Sequence, residues 1–211
     1  LNGISIERGA RKAAFDVIPG GGQIIYTSGS TGQPKGVRLA LAQINASAQM
    51  LLLATSATKS DNYLSILPLP LLLETIGAIC VPLLAGAHVQ FDAPLTATAL
   101  KGHVAGLNSA ITAHNPTSTI LVPELLTAWV AELESTGSTA PASLRFVAVG
   151  GAPVSEVISQ KAWSLGIPVY EGYGLSECCS VVALNTPKER KPGTVGRPLS
   201  AFNVSIENGE I

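Results

Sequence analysis

Short apolar runs, each followed by a stretch long enough for a helix, constrain this chain more than any other feature. Tyr63–Leu67, His88–Phe91, Ser118–Val122, Leu144–Val149 and Ile167–Tyr170 read as strands. Helical stretches fall between them: from about Leu72, over 96–114, from Pro123 to about Ser135, and from Pro153 to about Leu165. Proline suits a first helical turn, which marks the start at Pro123. Such alternation predicts an α/β fold, a mainly parallel sheet with flanking helices. From Val181 onward, short strands and turns predict a short β-rich C-terminal edge. Leu64–Ala87 is the most hydrophobic segment, but Glu74, Pro68, Pro70 and Pro82 interrupt it. A membrane-spanning helix needs about 20 continuous apolar residues, so this segment reads as strand, proline-rich turn and buried helix ended by Gly86-Ala87.

Charged residues make up 13% of the 211 and hydrophobic residues 46%. That charge content is about half the usual share, so the chain needs a large buried core or a face covered by a partner. A formal net charge of −1 excludes the basic footprint of a nucleic-acid binder. Cys80, Cys178 and Cys179 form no C-x-x-C pair, which favours a reducing compartment, the cytoplasm. His88, His103 and His114 are scattered without metal-ligand spacing and read as surface or loop residues. The chain starts at Leu1 without a basic-then-apolar leader and stops where a strand is beginning. Both ends read as cut from something longer.

Tyr26–Val37, YTSGSTGQPKGV, carries the first chemistry. It lies between a short buried strand, Gly22–Tyr26, and a helix expected over Val37–Thr55, strongest over Leu39–Leu53. Glycines permit left-handed turns and close backbone approach, so N–H groups and hydroxyls here can converge on one anion. Lys35 adds a mobile ammonium. A Walker loop is excluded: Pro34 stands where its second glycine belongs, and Gly36 rather than Ser or Thr follows Lys35. Two further loops, VGGAPVS (Val149–Ser155) and YEGYGLSE (Tyr170–Glu177), follow predicted strands. Open α/β sheets collect ligands beyond the carboxyl ends of their strands. Tyr173 offers an aromatic face for a base, Ser176 a hydroxyl and Glu177 an oxygen for Mg²⁺. Singly, each has a plainer reading: a packed tyrosine, a tight Gly150-Gly151 turn, a solvated helix start at Glu177. Their order and spacing favour a nucleotide site.

YTSGSTGQPKG closely resembles the phosphate-loop signature of the adenylate-forming enzymes, the superfamily of acyl- and aryl-CoA synthetases, luciferases and peptide-synthetase adenylation domains. GGAP and GYGLSE resemble two further motifs of that family, and LNTPKERKPGTVGRPLS (184–200) its passage into a β-barrel subdomain. LPLPLLLE (Leu67–Glu74) resembles the segment that usually carries a gating histidine, a position held here by Leu71. The resemblance implies that Thr27, Ser28, Gly29, Ser30, Thr31, Gly32 and Lys35 hold the β- and γ-phosphates of ATP. It places Gly151 and Tyr173 around the adenine, with Gly150, Ala152, Glu171, Gly172 and Gly174 completing the nucleotide wall. Ser176 would touch the α-phosphate and Glu177 would bind Mg²⁺, so that Lys35, Ser176 and Glu177 carry the catalytic roles.

The implied organisation is a connection over 1–21, an α/β nucleotide-binding region over 22–180 and the start of a β-rich subdomain over 181–211. The implied activity is that of an acid–thiol ligase: a carboxylic acid, read as a fatty acid, is activated by ATP and passed to CoA or a carrier thiol. A peptide-synthetase adenylation domain and a nucleotide-binding module without catalysis are the alternatives. The family's ribose-binding aspartate and its lysine-bearing C-terminal domain have no counterpart in this sequence. The chain on its own is therefore expected to be inactive.

Overall fold

The computed structural model describes residues 20–28, 34–101, 106–208 and 210–211. Its main sheet is built from β3 (Asn62–Ser65), β4 (His88–Phe91), β5 (Ser118–Leu121), β6 (Phe146–Val149), β7 (Val169–Leu175), β8 (Ser180–Leu184) and β9 (Arg197–Pro198). Their spatial order is β4-β3-β5-β6-β7-β8-β9. The first five strands run parallel, whereas β8 and β9 add antiparallel. The α/β class and the β-rich edge therefore hold. The edge is continuous with the parallel sheet, and the division expected at 180/181 falls inside β8.

Side chains along β6 alternate between two cores. Val147 and Val149 enter one apolar cluster with Ile111, Leu126 and Trp129, while Phe146 enters a second with Leu51, Ile76 and Val181. Alternation of this kind puts the clusters on opposite faces of the sheet. The second core is covered by α1 (Leu41–Thr55) and by a helical run in three parts. That run comprises α2 (Leu72–Glu74), a π-helical turn (Thr75–Cys80) and α3 (Val81–Ala85). Gly86 ends it at φ 67°, a left-handed cap that glycine adopts at little cost. The first core lies under α5 (Leu107–His114), α6 (Pro123–Thr136) and α7 (Glu156–Ser164). The single helix expected over 96–114 is instead α4 (Ala93–Leu100) and α5, separated by residues outside the description.

The largest departure from expectation lies around the glycine-rich loop. Pro34–Ala40 is a strand, β2, which pairs antiparallel with β1 (Gly22–Ser28). The helix predicted from Val37 starts only at Leu41. The loop thus joins two strands of a separate ribbon and does not open a helix. Nor is β1 buried: Tyr26 is 74% exposed and Ile24 46%. The ribbon stands apart from the main sheet, and its contacts run to α1 and to the turn after β7.

One histidine is also placed differently. His114 Nδ1 meets Gln90 Oε1 at 2.6 Å, and Nε2 meets Asp92 Oδ2 at 2.8 Å. His114 is a half-buried tie between the ends of α5 and β4, while His88 is exposed and His103 lies outside the described residues.

Candidate active site

A cleft of about 300 Å³ opens at the carboxyl ends of the parallel strands. One side is nearly bare backbone: Gly150 and Gly151 just past β6, then Gly172, Tyr173 and Gly174 on β7, with Ser176 beyond. The rest of the lining is apolar: Leu67, Leu71, Leu72 and Leu73 from the run after β3, Val122 just past β5 and Leu184 on β8 beside Gly172. No charged side chain lines the cleft among the described residues. Its size is near the lower end for small-molecule pockets, about 300–1,000 Å³.

The glycines have separate reasons. Gly151 takes φ +93°, and a Cβ there would meet nothing within 4 Å, so the backbone lies open to a flat group. At Gly174 a Cβ would fall 1.7 Å from the Ser180 carbonyl oxygen, because β8 closes against β7 at a bulge. Gly174 is needed for strand pairing, which holds Tyr173 and Ser176 at the cleft. Gly150 would tolerate a methyl: its nearest neighbours would be the Gly172 carbonyl oxygen at 3.6 Å and Leu73 Cδ2 at 3.7 Å.

Six of the predicted residues therefore gather in one place: Gly150, Gly151, Gly172, Tyr173, Gly174 and Ser176. The loop expected over 171–177 is largely strand, since β7 runs through Leu175 before a single turn at Ser176–Cys178. Glu171 is buried in β7 and is not part of the cleft wall; its carbonyl oxygen accepts from the Asn185 N–H at 2.9 Å. Ala152 is exposed just beyond the cleft. Thr27 and Lys35 face each other across the ribbon, with the Thr27 hydroxyl 3.5 Å from the Lys35 carbonyl oxygen. Lys35 is exposed, and β2 packs against the Ser176–Cys178 turn, which brings the ribbon to the Ser176 end of the cleft. Gly29, Ser30, Thr31 and Gly32 lie outside the described residues, as does the side chain of Ser28.

Glu177 is exposed on the turn after β7. No group of three or more His, Cys, Asp or Glu side chains could hold a metal among the described residues. A lone carboxylate suits Mg²⁺ that arrives with a nucleotide, since Mg²⁺ keeps waters and takes only one or two protein carboxylates alongside phosphate oxygens.

Sequence reasoning missed Val122 and Leu184. Val122 precedes Pro123 at the end of β5, a position that marks it as cleft-lining once the parallel sheet is recognised.

Beneath the apolar wall, Glu74 is fully buried. Ser65 Oγ donates to its Oε1 at 2.6 Å and Tyr63 Oη to its Oε2 at 3.1 Å. Burial raises its pKa to about 7, although both hydroxyls pull the other way. This network fixes α2 to β3 and so sets the position of the leucines ahead of it.

The sequence profile of the family described as AMP-binding enzyme matches residues 23–210. The 2-succinylbenzoate–CoA ligase of Bacillus pumilus is 29% identical over 192 residues, covering 88% of this chain and 36% of that protein. The structure of O-succinylbenzoate coenzyme A synthetase from Bacillus subtilis in complex with AMP superposes with a TM-score of 0.73 at 26% identity, covering 89% of this chain and 37% of that one. The long-chain-fatty-acid-CoA ligase of Archaeoglobus fulgidus gives a TM-score of 0.70 at 26% identity, over 84% of this chain and 36% of that one. The chain thus spans 36% of the length of the first of these relatives. No helix among the described residues is long and apolar enough to cross a membrane.

Proposed function

Because this chain belongs to the AMP-binding enzyme family, we propose that it forms the nucleotide- and acid-holding part of an ATP-dependent acid–thiol ligase. One observation carries the reading: a single cleft joins a bare glycine wall with an aromatic face to a wall of leucines. Such a cleft suits a molecule with a flat polar end and an apolar end, which describes an acyl-adenylate. In this reading the acid's carboxylate oxygen attacks the α-phosphorus of ATP and pyrophosphate leaves. A thiolate then attacks the acyl carbon and AMP leaves.

The proposed roles are these. Adenine lies between Gly150-Gly151 and Tyr173, and the Ser176 hydroxyl reaches the α-phosphate. Thr27, Ser28, Gly29, Ser30, Thr31, Gly32 and Lys35 hold the departing pyrophosphate, and Glu177 gives one oxygen to the Mg²⁺ that accompanies ATP. Donors placed where charge develops would stabilise the phosphorus in transit. The three relatives compared above are CoA ligases or synthetases by name, which favours CoA as the thiol. The leucine wall favours an acid with an apolar tail, such as a fatty acid. Residues 1–21 are proposed as a connection, 22–180 as the nucleotide-binding region, 181–211 as the start of a β-rich subdomain, and the cytoplasm as the compartment.

AMP titrated into the isotopically labelled chain tests the reading. Amide shifts are expected at Gly150, Gly151 and Tyr173, with affinity at least about fivefold weaker in Tyr173→Ala, since base–aromatic stacking is worth about 1–3 kcal/mol. Unchanged affinity in that variant, or shifts confined elsewhere, would contradict it.

A further inference from the structure

The connection from β7 to β8 holds two consecutive residues in the left-handed half of backbone space. Cys179 takes φ 58° and ψ 48°, and Ser180 follows at φ 91°. Glycine is the usual residue for such angles, and neither position carries one. Strain of this kind persists only where the surrounding structure over-determines it. The connection also borders the cleft. Ser176 and Ser180 both line it, and the Cys179 N–H donates to the Ser176 carbonyl oxygen at 3.0 Å.

The restraint on this pair comes from far away in the chain. Ser47, only 1% exposed on α1, donates its hydroxyl to the Cys179 carbonyl oxygen at 2.8 Å. Among the described residues this is the sole hydrogen bond from α1 to the connection. That carbonyl belongs to the Cys179–Ser180 peptide plane, and rotation of this plane is the motion that would release Ser180 from its positive φ. Both partners are buried, so water does not readily replace a lost donor. Moreover, α1 directly continues β2, the strand that carries Lys35 and packs against the Ser176–Cys178 turn. One hydroxyl thus ties that turn to the helix that extends the ribbon. Ser47 does not line the cleft itself.

We infer that Ser47 is a positioning residue, whose hydrogen bond pins the Cys179–Ser180 peptide and so fixes Ser176 relative to the ribbon for contact with a phosphate; the inference rests on the nucleotide reading of the cleft.

The test compares AMP with adenosine, which lacks the phosphate, in the labelled full chain and its variants. Alanine suits a helix interior, so Ser47→Ala should fold. The ratio of AMP to adenosine affinity should fall at least about tenfold in it, as for the loss of one hydrogen bond to a charged group, while adenosine binding stays unchanged. The strong intraresidue HN–Hα NOE that a positive φ gives at Ser180 should weaken. Ser180→Gly in the same background should restore the ratio, because glycine holds that φ without strain.

An unchanged NOE at Ser180 in Ser47→Ala would overturn the inference. So would a weakened NOE with an unaltered ratio, where the native chain prefers AMP. A weakened NOE in a chain whose native form does not prefer AMP to adenosine would support the pin and overturn the nucleotide reading. If Ser47→Ala does not fold, the double variant decides. A folded double variant with the native ratio supports the pin, and one that also fails to fold makes Ser47 a packing residue and overturns it.

Discussion

Glu74 accepts a 2.6 Å hydrogen bond from Ser65 in a fully buried site, and this pair holds the end of α2 against β3. The next three residues toward the N-terminus are leucines of the cleft wall. A buried carboxyl is thus built into the support of the cleft's leucine wall.

Its titration gives the first prediction. The pKa of Glu74 is raised from 4.5 to about 7, chiefly by burial. Between those values the folded chain keeps a proton that the unfolded chain has released, so stability is greatest below the unfolded pKa and falls as pH rises toward 7. The full loss is roughly 3 kcal/mol at 1.36 kcal/mol per pKa unit. Melting temperature measured from pH 4.5 to 8 should decline for the native chain across this window. In Glu74→Gln the decline should be much shallower. Parallel curves would show that Glu74 does not titrate there.

Asp61 behaves in the opposite sense. Burial raises its pKa, but the hydrogen bonds from Arg145, the Thr58 N–H and Thr117 outweigh that, and the net shift is downward. Its stabilisation is present above the unfolded pKa and is lost as pH falls through the lower folded value, in the acid limb below about pH 4. Arg145→Ala leaves Asp61, 6% exposed, without its ion partner. Urea unfolding at pH 7 should show a loss of about 3 kcal/mol or more. A loss under 1 kcal/mol would mean that water replaces the guanidinium.

The glycines of the cleft should separate by geometry. Gly174→Ala would drive its Cβ into the Ser180 carbonyl, a backbone atom that cannot rotate away. It should cost about 1–3 kcal/mol or more and abolish AMP shifts at Tyr173. Gly150→Ala meets only ordinary contacts and should fold with a near-native melting temperature. Equal effects of the two would contradict the placement of β8 against β7.

Lys35 is exposed on β2, so Lys35→Ala should leave the melting temperature unchanged. If its ammonium meets phosphate, the affinity for inorganic pyrophosphate should fall at least tenfold, the loss of one charge-assisted contact of about 1.5–3 kcal/mol. Unaltered pyrophosphate binding would remove Lys35 from the site.

Much of this architecture was legible because it is punctuated. The prolines at 68 and 70 and the left-handed Gly86 bracket the helical run after β3, and Pro123 marks the start of α6. The boundary between β2 and α1 was not legible. The N-cap of α1 is Ala40, without a capping side chain, so no Ser, Thr, Asp or Asn interrupts the apolar run from Val37. The only local sign is Gln43, whose Oε1 accepts from the Ala40 N–H at 2.8 Å. Likewise, Gly172 and Gly174 read as loop residues although they lie in β7. Glycine there answers to the approach of β8, a contact that the local pattern does not encode. Glu74 read as a break in an apolar run, because its hydroxyl partners lie on β3, across the turn. The gathering of Gly150, Gly151, Tyr173 and Ser176 was legible from motif order, but the apolar half of the cleft depends on which strand ends lie side by side.

The central claim is that one cleft holds both a nucleotide and an apolar acyl group. The most direct measurement compares the affinity of the chain for AMP, for dodecanoate, and for the non-hydrolysable dodecanoyl sulfamoyl adenosine that joins them. A shared cleft predicts that the joined molecule binds at least tenfold tighter than either part, because the second contact becomes intramolecular. It also predicts that Tyr173→Ala and Leu71→Glu each weaken the joined ligand. If the joined ligand binds no better than AMP and is indifferent to Leu71→Glu, the two walls do not serve one substrate, and the account is wrong.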